Sequence, residues 1–206
     1  MSDYVPLYME TEKMDILVIG GGPVAHRKCL YFPSARITVI SRSVIPEIGE
    51  LASEVIISDS VAEMERLMDG RDLIIAATDD KAVNSHIVKA ARSLNIPVNS
   101  AHGGGTVLIP SVLRRPGYSV AVSSLGSAPA FPPYLVEELN GMLGKRYDLM
   151  LDLLAEARKT AAESISDGRE RREFILGIST DPDIRALIES EDYDSALKIV
   201  KQRAVK

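Results

Sequence analysis

The chain has 206 residues, 46% hydrophobic and 26% charged, with a net charge of −5 at pH 7; it can bury a core, which excludes disordered and collagen-like classes. The acidic balance excludes the basic surface on which general nucleic-acid binding relies. A lone cysteine, Cys29, and three scattered histidines exclude an internal disulfide and a thiolate metal centre.

No apolar run reaches the roughly 18 residues that span a bilayer, and Met1–Met14 carries acids where a secretory signal would carry basic and long apolar stretches. A cytoplasmic protein with no membrane partner is expected. Short apolar segments at Asp15–Ile19, Arg36–Ile40, Val55–Ile57, Leu73–Ala77 and Ile96–Asn99 each read as a buried strand. Helical segments lie between them at Val24–Phe32, Pro46–Ala52, Val61–Met68 and Lys81–Leu94. Ser60 caps the third, with Glu63 placed to reach back. The fourth sets Val83, Ile87, Ala90, Ala91 and Leu94 on one face, as a helix covering a sheet would.

This alternation predicts an α/β fold with a Rossmann-type, doubly wound parallel sheet. Beyond Asn99 it stops. Gly103-Gly104-Gly105 precede two β-rich pieces, Thr106–Leu113 and Tyr118–Ser124, joined as a hairpin across Arg115-Pro116-Gly117. Past Pro132-Pro133 there is no strand signal. Leu149, Leu153, Ala157 and Ala161 mark a long amphipathic helix, and Asp181-Pro182 opens a shorter one. The expected division is 1–112 dinucleotide-binding, 113–146 β-rich and 147–206 helical.

Gly20-Gly21-Gly22-Pro23-Val24-Ala25 fits G-x-G-x-x-[G/A] where the first strand passes into the first helix. In that setting the first glycine permits a tight turn, the next lets backbone approach a pyrophosphate, and the small third residue packs helix on strand. The acidic residue that would take the ribose hydroxyls after the second strand is absent; Ser41, Arg42 and Ser43 stand there. They fit either a ribose phosphate or an ordinary polar loop, so the choice between NAD and NADP stays open on this evidence. After the fourth strand, Thr78, Asp79 and Asp80 border the ligand edge of the sheet, or an aspartate caps the next helix, or both. The basic runs at Arg114-Arg115 and Arg169–Arg172 read as solvated faces, with a patch for an anionic substrate as the alternative.

Together these segments resemble the siroheme synthase family, precorrin-2 dehydrogenases with or without ferrochelatase activity. The resemblance is carried by Val5-Pro-Leu-Tyr, Gly20-Gly-Gly-Pro-Val-Ala-His-Arg-Lys28, Ala76-Ala-Thr-Asp-Asp-Lys-Ala-Val-Asn84, Val98-Asn99, Ile109-Pro-Ser111, Val120-Ala-Val-Ser-Ser124 and Gly168-Arg-Glu-Arg-Arg-Glu-Phe174. It implies NAD-dependent oxidation of precorrin-2 to sirohydrochlorin in a homodimer, with 113–146 as the dimerisation region. It implies cofactor contacts at Gly20, Gly22, Pro23, Val24, Arg42, Ser43, Thr78 and Asp79. It also implies an acid-base aspartate three residues after Asn99, where this chain has His102; an imidazole there can take a proton as hydride leaves, or stand as a plain loop residue. The family's Gly-Gly-x-Ser-Pro segment and following helix arginine are replaced by Leu125–Pro133, which weakens the case for chelatase activity and for the substrate. The competing reading is a non-catalytic module that binds a dinucleotide or tetrapyrrole. No metal ligand set is expected.

Overall fold

Runs of Val and Ile too short for helices form strands when both faces can be covered. In a computed structural model, which describes residues 4–204, such runs build a five-stranded, all-parallel sheet. Residues 1–3 of the stretch weighed above for a targeting signal lie outside the described residues. The chain divides into two compact units: residues up to Pro110 with Ser123–Ala128, and Ser111–Val122 with Pro129 onward.

The first unit runs β1 (Asp15–Ile19), α1 (Pro23–Cys29), β2 (Arg36–Ser41), α2 (Pro46–Leu51), β3 (Glu54–Ile57), α3 (Val61–Arg66), β4 (Leu73–Ala76), α4 (Lys81–Ser93) and β5 (Val98–Ser100). Strand order is β3-β2-β1-β4-β5, so the winding direction reverses between β1 and β4, the switch point where open α/β sheets bind ligands. Alternate β1 side chains serve two cores. Ile16 and Val18 pack with Ala25, Cys29 and Ile48 beneath α1 and α2; Leu17 and Ile19 pack with Met64, Ile87 and Ala91 beneath α3 and α4. Cys29 is 2% exposed, and burial pushes its thiol up to about 11.

Several expected elements shift. β3 is an edge strand rather than a buried one, with Ile57 64% exposed, because no strand lies beyond it. The buried face of α4 is Asn84, Ile87, Val88 and Ala91, with Leu94 49% exposed; the helix is rotated from the expected face and carries an asparagine into the core. Asn95 adopts a left-handed φ of 57° and Ile96 N–H bonds Ala91 C=O, the αL termination of a helix, which delays the fifth strand to Val98. α1 ends at Cys29, short of the expected Phe32. Thr106 and Val107 do not open the hairpin; their amides bond Val98 C=O at 2.7 and 3.0 Å.

The second unit holds an antiparallel pair, β6 (Ser111–Arg114) and β7 (Ser119–Val122), then α5 (Phe131–Met142), α6 (Lys145–Ser164), α7 (Gly168–Thr180), α8 (Pro182–Glu189) and α9 (Tyr193–Ala204). Leu153 and Ala157 of α6 are fully buried with Ile178, Ile184, Ile188, Ala196 and Val200. Asp181 caps α8 by accepting from Asp183 and Ile184 N–H, as its pairing with Pro182 predicts. Among the described residues no helix is long and apolar enough to cross a membrane.

At the amino edge of the sheet Asp15 accepts from Arg36 and from Arg71, and Arg71 also donates to Thr38 Oγ1 at 3.1 Å. Burial alone would raise the Asp15 carboxyl; the two guanidinium groups outweigh it and hold the group below the usual carboxylate range. A carboxylate lowered in the folded state stabilises fully above its unfolded pKa and loses that contribution as pH falls through the folded value. Asp15→Asn should therefore lower stability at pH 7 by about 1 kcal/mol, after screening at the exposed Arg36. In urea unfolding at a series of pH values, the gap to the parent should close below about pH 4; a gap independent of pH would contradict the assignment.

Candidate cofactor site

A sharp β1-to-α1 turn at a switch point needs backbone without side chains, and the first two glycines supply it. Gly20 has φ of +129°, and a Cβ there would lie 2.3 Å from Ala77 O. A Cβ on Gly21 would lie 1.9 Å from Ser43 O. Gly22 differs: φ is −99° and no atom lies within 4 Å of its Cβ position. It is the N-cap of α1, no side chain caps the helix, and Pro23 opens it, so no side chain satisfies the amides of its first turn. That is room and polarity for a pyrophosphate. Ala25, fully buried, gives the close helix-to-strand packing expected of the third small residue.

The eight expected cofactor residues all line one cleft of about 570 Å³: Gly20, Gly22, Pro23, Val24, Arg42, Ser43, Thr78 and Asp79. Arg42, past β2, donates to Asp79, past β4, at 2.9 Å, both side chains well exposed. Asp80 rather than Asp79 caps α4, accepting from Ala82 and Val83 N–H, which leaves Asp79 to the cleft.

His102 follows β5 and does not line that cleft, but it is tied to it. Its Nδ1 lies 2.6 Å from Asn84 Nδ2, and the same amide bonds Thr78 N–H and Thr78 C=O at 3.1 and 2.9 Å. The glycines that follow His102 are not alike. Gly103 and Gly104 have φ of +83° and +77° with open surroundings, whereas a Cβ on Gly105 would lie 2.5 Å from Val98 O. Nearby, Lys28 of α1 donates to Asn99 Oδ1, and Asn99 Nδ2 donates to Val107 C=O at 2.8 Å. Burial, then the charge of Arg27, lowers the Lys28 ammonium. Asn84, Lys28 and Asn99 went unassigned by sequence reasoning; all three stand inside the segments that carry the family resemblance. Leu125 adopts a left-handed φ of 54°, a conformation that costs a side-chain-bearing residue about 1–2 kcal/mol.

Switch-point cleft, glycine turn and uncapped helix define a dinucleotide-binding protein. Residues 7–111 match the family described as "Putative NAD(P)-binding". With just over half its length matched, the chain belongs to that NAD(P)-binding family, and NAD is its cofactor. It is 34% identical over 198 residues to the siroheme synthase of Tolumonas auensis, covering 94% of this chain and 42% of that one. It is 28% identical over 183 residues to the precorrin-2 dehydrogenase of Methanosarcina barkeri, covering 84% and 82%. The chain thus spans about two fifths of the siroheme synthases it matches. A solved structure titled SirC, precorrin-2 dehydrogenase, shares the fold with a TM-score of 0.72 at 24% identity, covering 95% of this chain and 99% of that one.

Gly22→Asp should abolish NAD binding in calorimetry while leaving the thermal midpoint near that of the parent, because the added carboxylate meets phosphate and no protein atom. Gly21→Ala should instead unfold the turn and lower the midpoint. NAD binding by Gly22→Asp at parental affinity would show that the turn does not hold the phosphates.

Proposed function

We propose that this protein is an NAD-dependent dehydrogenase that oxidises precorrin-2 to sirohydrochlorin. The observation that carries this reading is the convergence of all eight expected cofactor residues on one cleft, in a chain similar over most of its length to proteins named siroheme synthase and precorrin-2 dehydrogenase. Bound NAD supplies the hydride acceptor. The chain's own work is to hold the phosphates at Gly22 and the start of α1, to border the adenosine end with Arg42 and Ser43, and to border the cleft on the β4 side with Thr78 and Asp79. His102, on the loop after β5, is the residue we place against the substrate. Commitment of Arg42 to Asp79 favours NAD over NADP, since a ribose phosphate would have to displace that carboxylate.

The same reading includes a cytoplasmic homodimer built through residues 113–146. Metal insertion is weak or absent, because the carboxylate expected for removal of pyrrole protons is replaced by His102.

Anaerobic mixing of protein, NAD and precorrin-2 should yield NADH. His102→Ala should lower turnover by about a hundredfold with NAD affinity unchanged. Binding of NAD without any NADH from precorrin-2 would overturn the activity and leave a non-catalytic dinucleotide-binding module. For the cofactor, affinity should favour NAD in both the parent and Arg42→Ala; a preference of about tenfold for NADP that disappears in the variant would reverse the choice.

A further inference from the structure

Asn84 is fully buried on α4, and its amide is oriented by both main-chain groups of one residue. Thr78 N–H donates to Oδ1 at 3.1 Å, and Thr78 C=O accepts from Nδ2 at 2.9 Å. Exchanging the oxygen and nitrogen would set donor against donor and acceptor against acceptor, so the orientation is fixed. The second hydrogen on Nδ2 is then left for His102 Nδ1, 2.6 Å away. An amide nitrogen only donates, so Nδ1 must accept. A neutral imidazole that accepts at Nδ1 carries its hydrogen at Nε2.

The imidazole is therefore held by the protein before substrate arrives, despite the glycines that follow it, and its outward nitrogen has a hydrogen rather than a lone pair. A general base needs the lone pair. To take a proton, His102 would have to give up the Asn84 contact, because a doubly protonated ring cannot accept from an amide.

We infer that Asn84 is a positioning residue that presents His102 to the substrate as a hydrogen-bond donor through Nε2–H, its acceptor being a carboxylate of a polycarboxylate macrocycle. This rests on the proposed dehydrogenation and changes the role of the histidine within it. Hydride passes to NAD and the accompanying proton to solvent water, which reaches the exposed loop around His102; His102 orients the donor molecule and keeps its own proton. The family resemblance points the other way, since the aspartate it implies at this place suggests a base.

Two variants separate the roles. The amide nitrogen of Gln reaches about as far as imidazole Nε2 and donates but cannot act as a base; Asp accepts a proton but has no donor when ionised. His102→Gln should keep turnover within about tenfold of the parent while His102→Ala falls by about a hundredfold through lost orientation of the substrate, and His102→Asp should be no better than Ala. NAD affinity, measured for each, should stay at the parental value. In addition, nitrogen-15 NMR of protein labelled at its three histidines, near neutral pH with NAD bound, should show the His102 proton on Nε2. In Asn84→Ala the two tautomers should mix. An active His102→Asp beside a Gln variant as slow as Ala, or a parental proton on Nδ1, would overturn the inference. If the parent forms no NADH from precorrin-2, the proposed activity fails, while the NMR result still decides the role of Asn84.

Discussion

The carbonyl oxygens of Ala77 and Ser43 pass so close to the first strand-to-helix turn that neither Gly20 nor Gly21 has room for a single carbon. β1 is paired on both sides, with β2 and with β4, so the segments leaving all three strands crowd the same point. Only bare backbone fits between them. That crowding sets the floor of the cleft, fixes where α1 begins, and brings the residues after β2 and β4 near enough for Arg42 to meet Asp79. The third glycine stands just outside the crowd. Two glycines thus answer to the fold and the third is left open to the cleft, although all three belong to one motif.

α1 is held at both ends. Its start is placed by the glycine turn. Near its other end Lys28 reaches Asn99 on β5, and Asn99 in turn holds Val107 of the segment leading toward Pro110. A partly desolvated ammonium is kept only where it has a partner, so this tie links α1 to the far strand of the sheet and to the base of the His102 loop. α4 makes a second tie through Asn84, from Thr78 to His102. The cofactor edge and the loop that would face the substrate are joined twice by buried amides.

The glycine turn, the sheet and the residues bordering the cleft were legible because each depends on local pattern: a strand period, a turn that excludes side chains, a polar residue just past a strand end. Asn84 was not. Its helix carries enough apolar residues to suggest a face containing Val83 and Leu94, and only packing against the sheet shows that the buried face includes the asparagine. The contact that decides the chemistry of His102 spans 18 residues of sequence, beyond any helical or strand period. β3 was misjudged for a similar reason: three branched residues look buried until the sheet order puts them at an edge. In the 103–105 loop composition treats three glycines alike, although Gly105 alone lies against β5.

Cys29 ends α1, the helix that starts at the glycine turn, sealed against β1 and with its proton held tightly by the apolar surroundings. A thiol in that state is inert to alkylating reagents while the helix is docked, and it becomes reactive only when α1 lifts from the sheet. The chain therefore contains one built-in chemical clock. Its modification rate reports the openings that uncover this face of α1, read without interference since no second thiol competes. Any ligand that closes the turn around its phosphates slows that clock, whatever chemistry follows at the other end of the cleft.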